Sequence, residues 1–148
     1  MATPQQRRVS EHVRQRTREW FRKAEHELAF LEIAPLDLSD PPTDTPCKMA
    51  HMVAEYSLKA YLMLNKRKID KSHDLVEILN DCIAAYSDPD FEKLRADCQW
   101  LTEYRLDSVY PGPMVESISI EEARIAIGAA RTIKSFVLEK VKELGYYQ

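Results

Sequence analysis

The ionisable residues best placed to act together in this sequence are Glu55, Lys59, Arg67, His73 and Arg105. Glu55 and Lys59 are spaced i, i+4 in the order that favours an ion pair, which on a helix surface contributes only a few tenths of a kcal/mol. Their neighbours are nearly all apolar, and charges cost more on an apolar helix. The second reading is therefore a semi-buried polar cluster, completed by His73 or Arg105. The basic run Lys66-Arg67-Lys68, with Lys71 close by, reads most simply as a solvated loop. Its functional alternative is a phosphate-attracting patch beside the helix that starts at His73, whose first amides would reinforce anion binding. His73 itself is either an interior or capping histidine that orders its loop, or a ligand contact.

Other chemistry finds less support. His26 and His51 have no acidic or cysteine partner at ligand spacing, so no metal is expected. Cys47, Cys82 and Cys98 are odd in number, widely spaced and set among apolar neighbours, which reads as reduced, buried thiols in a reducing compartment and not as zinc ligands. No cofactor is implied.

These residues depend on helices for their placement. Val13, Trp20, Phe21, Ala24, Leu28 and Leu31 recur at helical spacing from Ser10 to about Ile33, predicting a long amphipathic first helix. Pro35, Pro41, Pro42 and Pro46 make Ala34 to Pro46 a loop. Cys47 to Leu64 then carries two interleaved stripes, Ala50, Ala54, Leu58, Tyr61 and Met49, Val53, Tyr56, Ala60, Leu64. A helix apolar over most of its circumference belongs in the middle of a bundle, and the small residues Ala50, Ala54 and Ala60 allow its neighbours to approach closely.

A short helix is expected to open near His73, with Leu75, Val76, Ile78, Leu79 and Ile83 inward. Ser87-Asp88-Pro89 supplies a cap and a first-position proline for the next helix, which carries Phe91, Leu94, Cys98 and Leu101 and stops before Pro111-Gly112-Pro113. Ser119 and Glu122 have capping-box spacing. The last helix follows, with Ala123, Ile127, Ala130, Ile133, Val137, Val141 and Leu144 inward and Gly145 placed to end it. The expectation is an all-α fold, about five helices and no strand, in one domain over residues 1–148 with its core at about 18–142 and loose tails at 1–9 and 146–148.

Composition agrees with that outline. The chain has 148 residues, 45% hydrophobic and 30% charged with only 3 Gly, enough to bury a core without disulfide or metal staples. Its net charge of −3, with acidic and basic residues interspersed, gives no global attraction to nucleic acid or anionic lipid, so any such contact must be local. The basic N-terminus lacks the apolar core of a secretory signal, and no apolar run approaches membrane-spanning length, which points to a cytoplasmic protein.

The second helix also resembles a known family. Cys47-x-x-Ala50-x-x-x-Ala54-Glu55-x-x-x-Lys59-Ala60-x-Leu62 looks like the signature helix of HEPN domains (higher eukaryotes and prokaryotes nucleotide-binding). Ser72-His73-Asp74-Leu75 resembles the family's Ser/Thr-His-Asp/Glu-Leu helix start, and Leu101-Thr102-Glu103-Tyr104 through Tyr110-Pro111-Gly112 resembles its Tyr-Pro segment. The long Ala-rich final helix matches too. The resemblance implies an up-and-down antiparallel four-helix bundle with an additional short helix, usually a homodimer and often paired with a nucleotidyltransferase in a toxin–antitoxin system.

Many members of that family are ribonuclease toxins whose activity is attached to an Arg-x(4–6)-His motif at the end of the fourth helix. Here Arg105 is followed after four residues by Tyr110, and no histidine lies beyond His73. Tyrosine, with an ordinary pKa near 10, is poorly poised as a base at neutral pH. Arg67 and His73, like Arg7 and His12, satisfy the motif's spacing away from its expected place. The expectation is thus a protein acting by association, as a homodimer that binds a nucleotidyltransferase-type partner or a nucleotide. Lys59, Arg67, His73 and Arg105 would then be the phosphate-binding residues. The alternative is a ribonuclease that cuts RNA with a variant site of Arg105 and Tyr110, or of Arg105 and His73 brought near in space. A helical scaffold without a site, presenting Trp20, Trp100 and Tyr104, is the third reading.

Overall fold

A computed structural model describes residues 10–65, 69, 71–109 and 117–144, with side chains placed for all of these but 106–109. Helix α1 (Glu11–Glu32) is followed by α2 (Asp44–Leu64) and α3 (Leu75–Tyr86). A 3₁₀ helix (Pro89–Leu94) leads directly into α4 (Arg95–Val109), and α5 (Ile120–Glu143) closes the order. No strand occurs among the described residues. The protein is an all-α helical bundle.

Helix α2 packs against α1, α3, α4 and α5, so it is the element the others surround. Val53, Ala54, Leu58, Tyr61 and Leu64 on it are buried, as the two interleaved stripes predict, while Met49 and Tyr56 of the second stripe are half-buried; Leu62, in neither stripe, is buried too. Each large apolar side chain hidden this way contributes about 1.5–3 kcal/mol. Ala50, Ala54 and Ala60 are fully buried, where a larger side chain would force the neighbouring helices apart. The aromatic contacts Tyr61–Phe91 and Phe91–Phe136, at centroid distances of 4.7 and 5.1 Å, join α2 to the 3₁₀ helix and α5.

The helix ends follow local chemistry. Ser10 accepts a hydrogen bond from the Val13 amide at the start of α1, and Asp74 accepts from the Val76 and Glu77 amides at the start of α3. The Ser119–Glu122 capping box is fully formed at α5. Helix α2 starts at Asp44, ahead of the Cys47 start expected from the prolines. Pro46 lies in the first turn, where its missing N–H would have no intrahelical partner anyway. Asp88 and Pro89 do cap a helical segment, but it winds as a 3₁₀ helix before α4 begins at Arg95. Gly145 lies outside the described residues.

Cys47, Cys82 and Cys98 are free and fully buried. Burial pushes the Cys47 and Cys98 thiols up to about 12 and raises Cys82 well above its ordinary value, so all three are held as unreactive thiols.

Candidate functional site

The polar cluster is built on one face of α2. His51, Glu55 and Lys59 are spaced i, i+4, i+8, so they stack along the one polar stripe of an otherwise apolar helix. All three are buried, Glu55 being 6% and Lys59 5% exposed. The Lys59 ammonium donates to Glu55 Oε2 at 2.9 Å, while His73 Nδ1 lies 2.9 Å from Glu55 Oε1. Glu55 is therefore the hub, with one oxygen for each partner. His51 Nδ1 comes within 3.7 Å of the same Oε1, and neither of its ring nitrogens has a partner in hydrogen-bonding geometry.

His73 comes from the segment before α3, and several bonds fix that segment. Ser72 Oγ accepts from the Asp74 amide and donates to Glu77. The Asp74 cap follows, and the Leu75 amide donates to Thr102 Oγ1 on α4 at 3.3 Å. Thr102 lies one turn before Arg105, which ties the start of α3 to the part of α4 that carries the guanidinium. Arg105 is half-buried and close enough to His51 to disfavour its protonation.

Electrostatics set the charge states. Burial pushes the Glu55 carboxyl up, but hydrogen bonds from Lys59 and His73, with their charges, outweigh it and hold the group below the ordinary carboxylate range. Burial drives His51 down to about 4; the Glu55 charge and the nearby His73 backbone oppose this and Arg105 adds to it, so His51 is neutral at pH 7. The cluster then comprises one anion compensated by Lys59, a neutral buried imidazole, an outward-facing imidazole whose side chain is 58% exposed, and an additional cation at Arg105. Such an arrangement can receive an anion and exchange a proton at the exposed imidazole.

The structure thus brings together Lys59 and His73 on Glu55, with Arg105 near the adjoining His51. Arg67 and Tyr110 lie outside the described residues. His51 belongs to the cluster too, and Glu55, one turn on, is an acidic neighbour that the sequence reading did not credit to it; His26, the other histidine read for metal ligation, is exposed. The i, i+4, i+8 polar repeat was the available signal for His51.

A second polar contact lies where α4 meets α5. The Tyr104 hydroxyl donates to Glu122 Oε2. That bond, and then the capping-box bonds from Ser119, hold the Glu122 carboxyl below its ordinary range. Trp20, Trp100 and Tyr104 are all half-buried and do not form an open aromatic face. Trp100 instead stacks on Tyr104 with ring centroids 3.9 Å apart.

Comparison with known proteins places these features in context. A family model described as HEPN domain matches residues 17–141, which include α2, α3, α4 and nearly all of α5. Among solved structures, TT1696 from Thermus thermophilus is similar, at 27% identity and a TM-score of 0.70, covering 84% of this chain and 98% of that one. Among curated proteins the comparison finds no match.

Proposed function

Because the chain belongs to the HEPN domain family, whose members are of nucleotide-binding or ribonuclease type, we propose that it binds the phosphate of a nucleotide or of RNA at the Glu55-centred cluster. The observation that carries this reading is that Lys59 and His73 meet on the buried Glu55 carboxylate while Arg105 lies close enough to act on the adjoining His51. The acidic hub holds Lys59 and His73 in place, and Arg105 attracts the incoming anion. Arginine suits that task because its planar fork matches two phosphate oxygens at once. Titration calorimetry with ATP and with a short single-stranded RNA tests the reading. Saturable, salt-sensitive binding is expected, weakened about tenfold or more by Arg105→Ala. Absence of binding to both ligands would remove the proposal.

A second reading, association with another copy of the chain or with a nucleotidyltransferase-type protein, is supported by a different surface. Phe30 is 69% exposed, Ile33 77% and Leu38 55%, all at the end of α1 and in the loop after it. Beside them runs a shallow groove lined by Ile33, Leu36 and Ile127, flanked by a two-pronged ion pair from Arg131 to Glu32. Phe30 and Ile33 stand one turn apart at the end of α1, beside this groove, which is where a partner's apolar side chains could be received. Association of this kind is compatible with phosphate binding, since the groove and the cluster share no lining residue.

A further inference from the structure

We propose that the cleft where α3 and α5 end is a binding site for a small aliphatic ammonium ion. The cleft has a volume of about 280 Å³ and shares no residue with the Glu55 cluster, so it stands apart from the phosphate-binding reading.

The charge of the cleft selects a cation. Lys140 Nζ, on a side chain 13% exposed, donates to Asp88 Oδ2 at 2.8 Å and to Asp90 Oδ2 at 2.9 Å. Glu143 stands off from the same ammonium at 3.9 Å, beyond hydrogen-bonding distance. Lys93 also acts on Asp90, and Lys142 pairs with Glu139 at 3.5 Å. Among the described residues Glu143 is therefore the acid of this group without a close partner. Two helix C-termini add to its negative field: α3 ends at Tyr86 with no basic residue in its last turn, and α5 ends at Glu143.

Tyr61 is a second, independent pointer to a ligand. It is only 2% exposed, yet its hydroxyl has no hydrogen-bonding partner among the described residues and is not sealed in the interior. A buried phenol ordinarily finds a partner for its O–H. Here the ring packs on Phe91 at 4.7 Å and lines the cleft. Burial first, and then neighbours that include Asp88, Tyr86 and Glu143, push the phenol above its ordinary range, so the hydroxyl faces the groups that line the cleft.

The remaining wall suits an aliphatic stem. Tyr86 is 40% exposed, its ring centroid lies 6.2 Å from that of Tyr61, and Leu144 continues the apolar surface. An ammonium seated here donates to the Glu143 carboxylate and to the Tyr61 hydroxyl oxygen, with the Tyr86 ring alongside. A divalent metal ion fits less well, because it needs several oxygen ligands at once and no acidic, histidine or cysteine group among the described residues is arranged to hold one.

A nuclear magnetic resonance titration with butylammonium, and with 1-butanol as its neutral counterpart, tests the proposal. Saturable shifts of the Tyr61 and Tyr86 ring signals are expected with the ammonium and none with the alcohol. Glu143→Gln alters a side chain that is 68% exposed and should weaken binding about fivefold at low salt. Tyr61→Phe keeps the ring and its Phe91 contact, and binding followed at Tyr86 should weaken about tenfold. If Tyr61→Phe fails to fold, Glu143→Gln decides the matter alone. Absence of saturation overturns the proposal, as do equal shifts with the alcohol or undiminished binding in Glu143→Gln. Displacement of butylammonium by an equal concentration of sodium ion overturns it too, since the cleft would then be a general acidic patch.

Discussion

His51 is a fully buried imidazole with no hydrogen-bonding partner at either nitrogen, held down to about 4 mainly by burial. In the unfolded chain a histidine titrates near its ordinary pKa of about 6.5. Between those two values the unfolded state binds more protons, so stability is complete above about pH 6.5 and falls as the pH drops toward 4. The difference corresponds to a loss on the order of 3 kcal/mol. Glu55 acts in the same direction at lower pH, because its carboxyl is depressed in the folded state and its contribution fades below the ordinary carboxylate value. Denaturant titrations across this range should show His51→Leu abolishing the loss between pH 6.5 and about 4.5 while keeping the steeper loss below it. A wild-type stability flat over that interval would contradict the buried, neutral state. At this scale the site was half legible. Glu55, Lys59, His73 and Arg105 stand out as charges in apolar or capping surroundings. His51 shows only as the first member of the i, i+4, i+8 repeat, and a histidine gives no hint of its protonation state until the groups facing it are known.

Helix ends show where local chemistry suffices to specify structure. The Ser119–Glu122 box satisfies orphan amides with bonds of 3.0 Å in each direction, and all its participants lie within four residues. Ser119→Ala should cost about 1 kcal/mol and lower the melting temperature by roughly 3 °C, with Glu122 still bound to Tyr104. A melting temperature unchanged in that variant would mean that the tertiary bond alone anchors the start of α5. The proline rule was less decisive at α2, since Pro46 is compatible with loop and first helical turn alike and tertiary packing draws the helix back to Asp44. Likewise the 3₁₀ winding of Pro89–Leu94 has no distinct sequence signature, because 3₁₀ and α turns share caps and apolar spacing. The central place of α2 was readable from its alanines and double stripe, which leave no side wide enough to face water.

For the molecule as a whole, the open cluster of Phe30, Ile33 and Leu38 is the feature that folding of one chain leaves unused. If it pairs with a second copy, light scattering at micromolar concentration should give a dimer for the native protein and a monomer for Ile33→Asp, with unchanged helicity. A native monomer under those conditions would leave that surface to another protein. The sequence offered the aromatic residues Trp20, Trp100 and Tyr104 for this role, and packing absorbed them. Which apolar residues stay outside depends on how the ends of helices meet, and periodicity along one helix cannot report that.

The three sealed thiols give the bundle built-in stopwatches. Cys47, Cys82 and Cys98 sit on α2, α3 and α4, each fully shielded from reagent. An alkylating dye can reach them only during excursions in which the surrounding helices part. Equal labelling rates at all three would mark the bundle as breathing in one concerted motion. Faster capture at Cys82 would identify α3, the shortest α-helix and the one beside His73, as a flap that lifts independently.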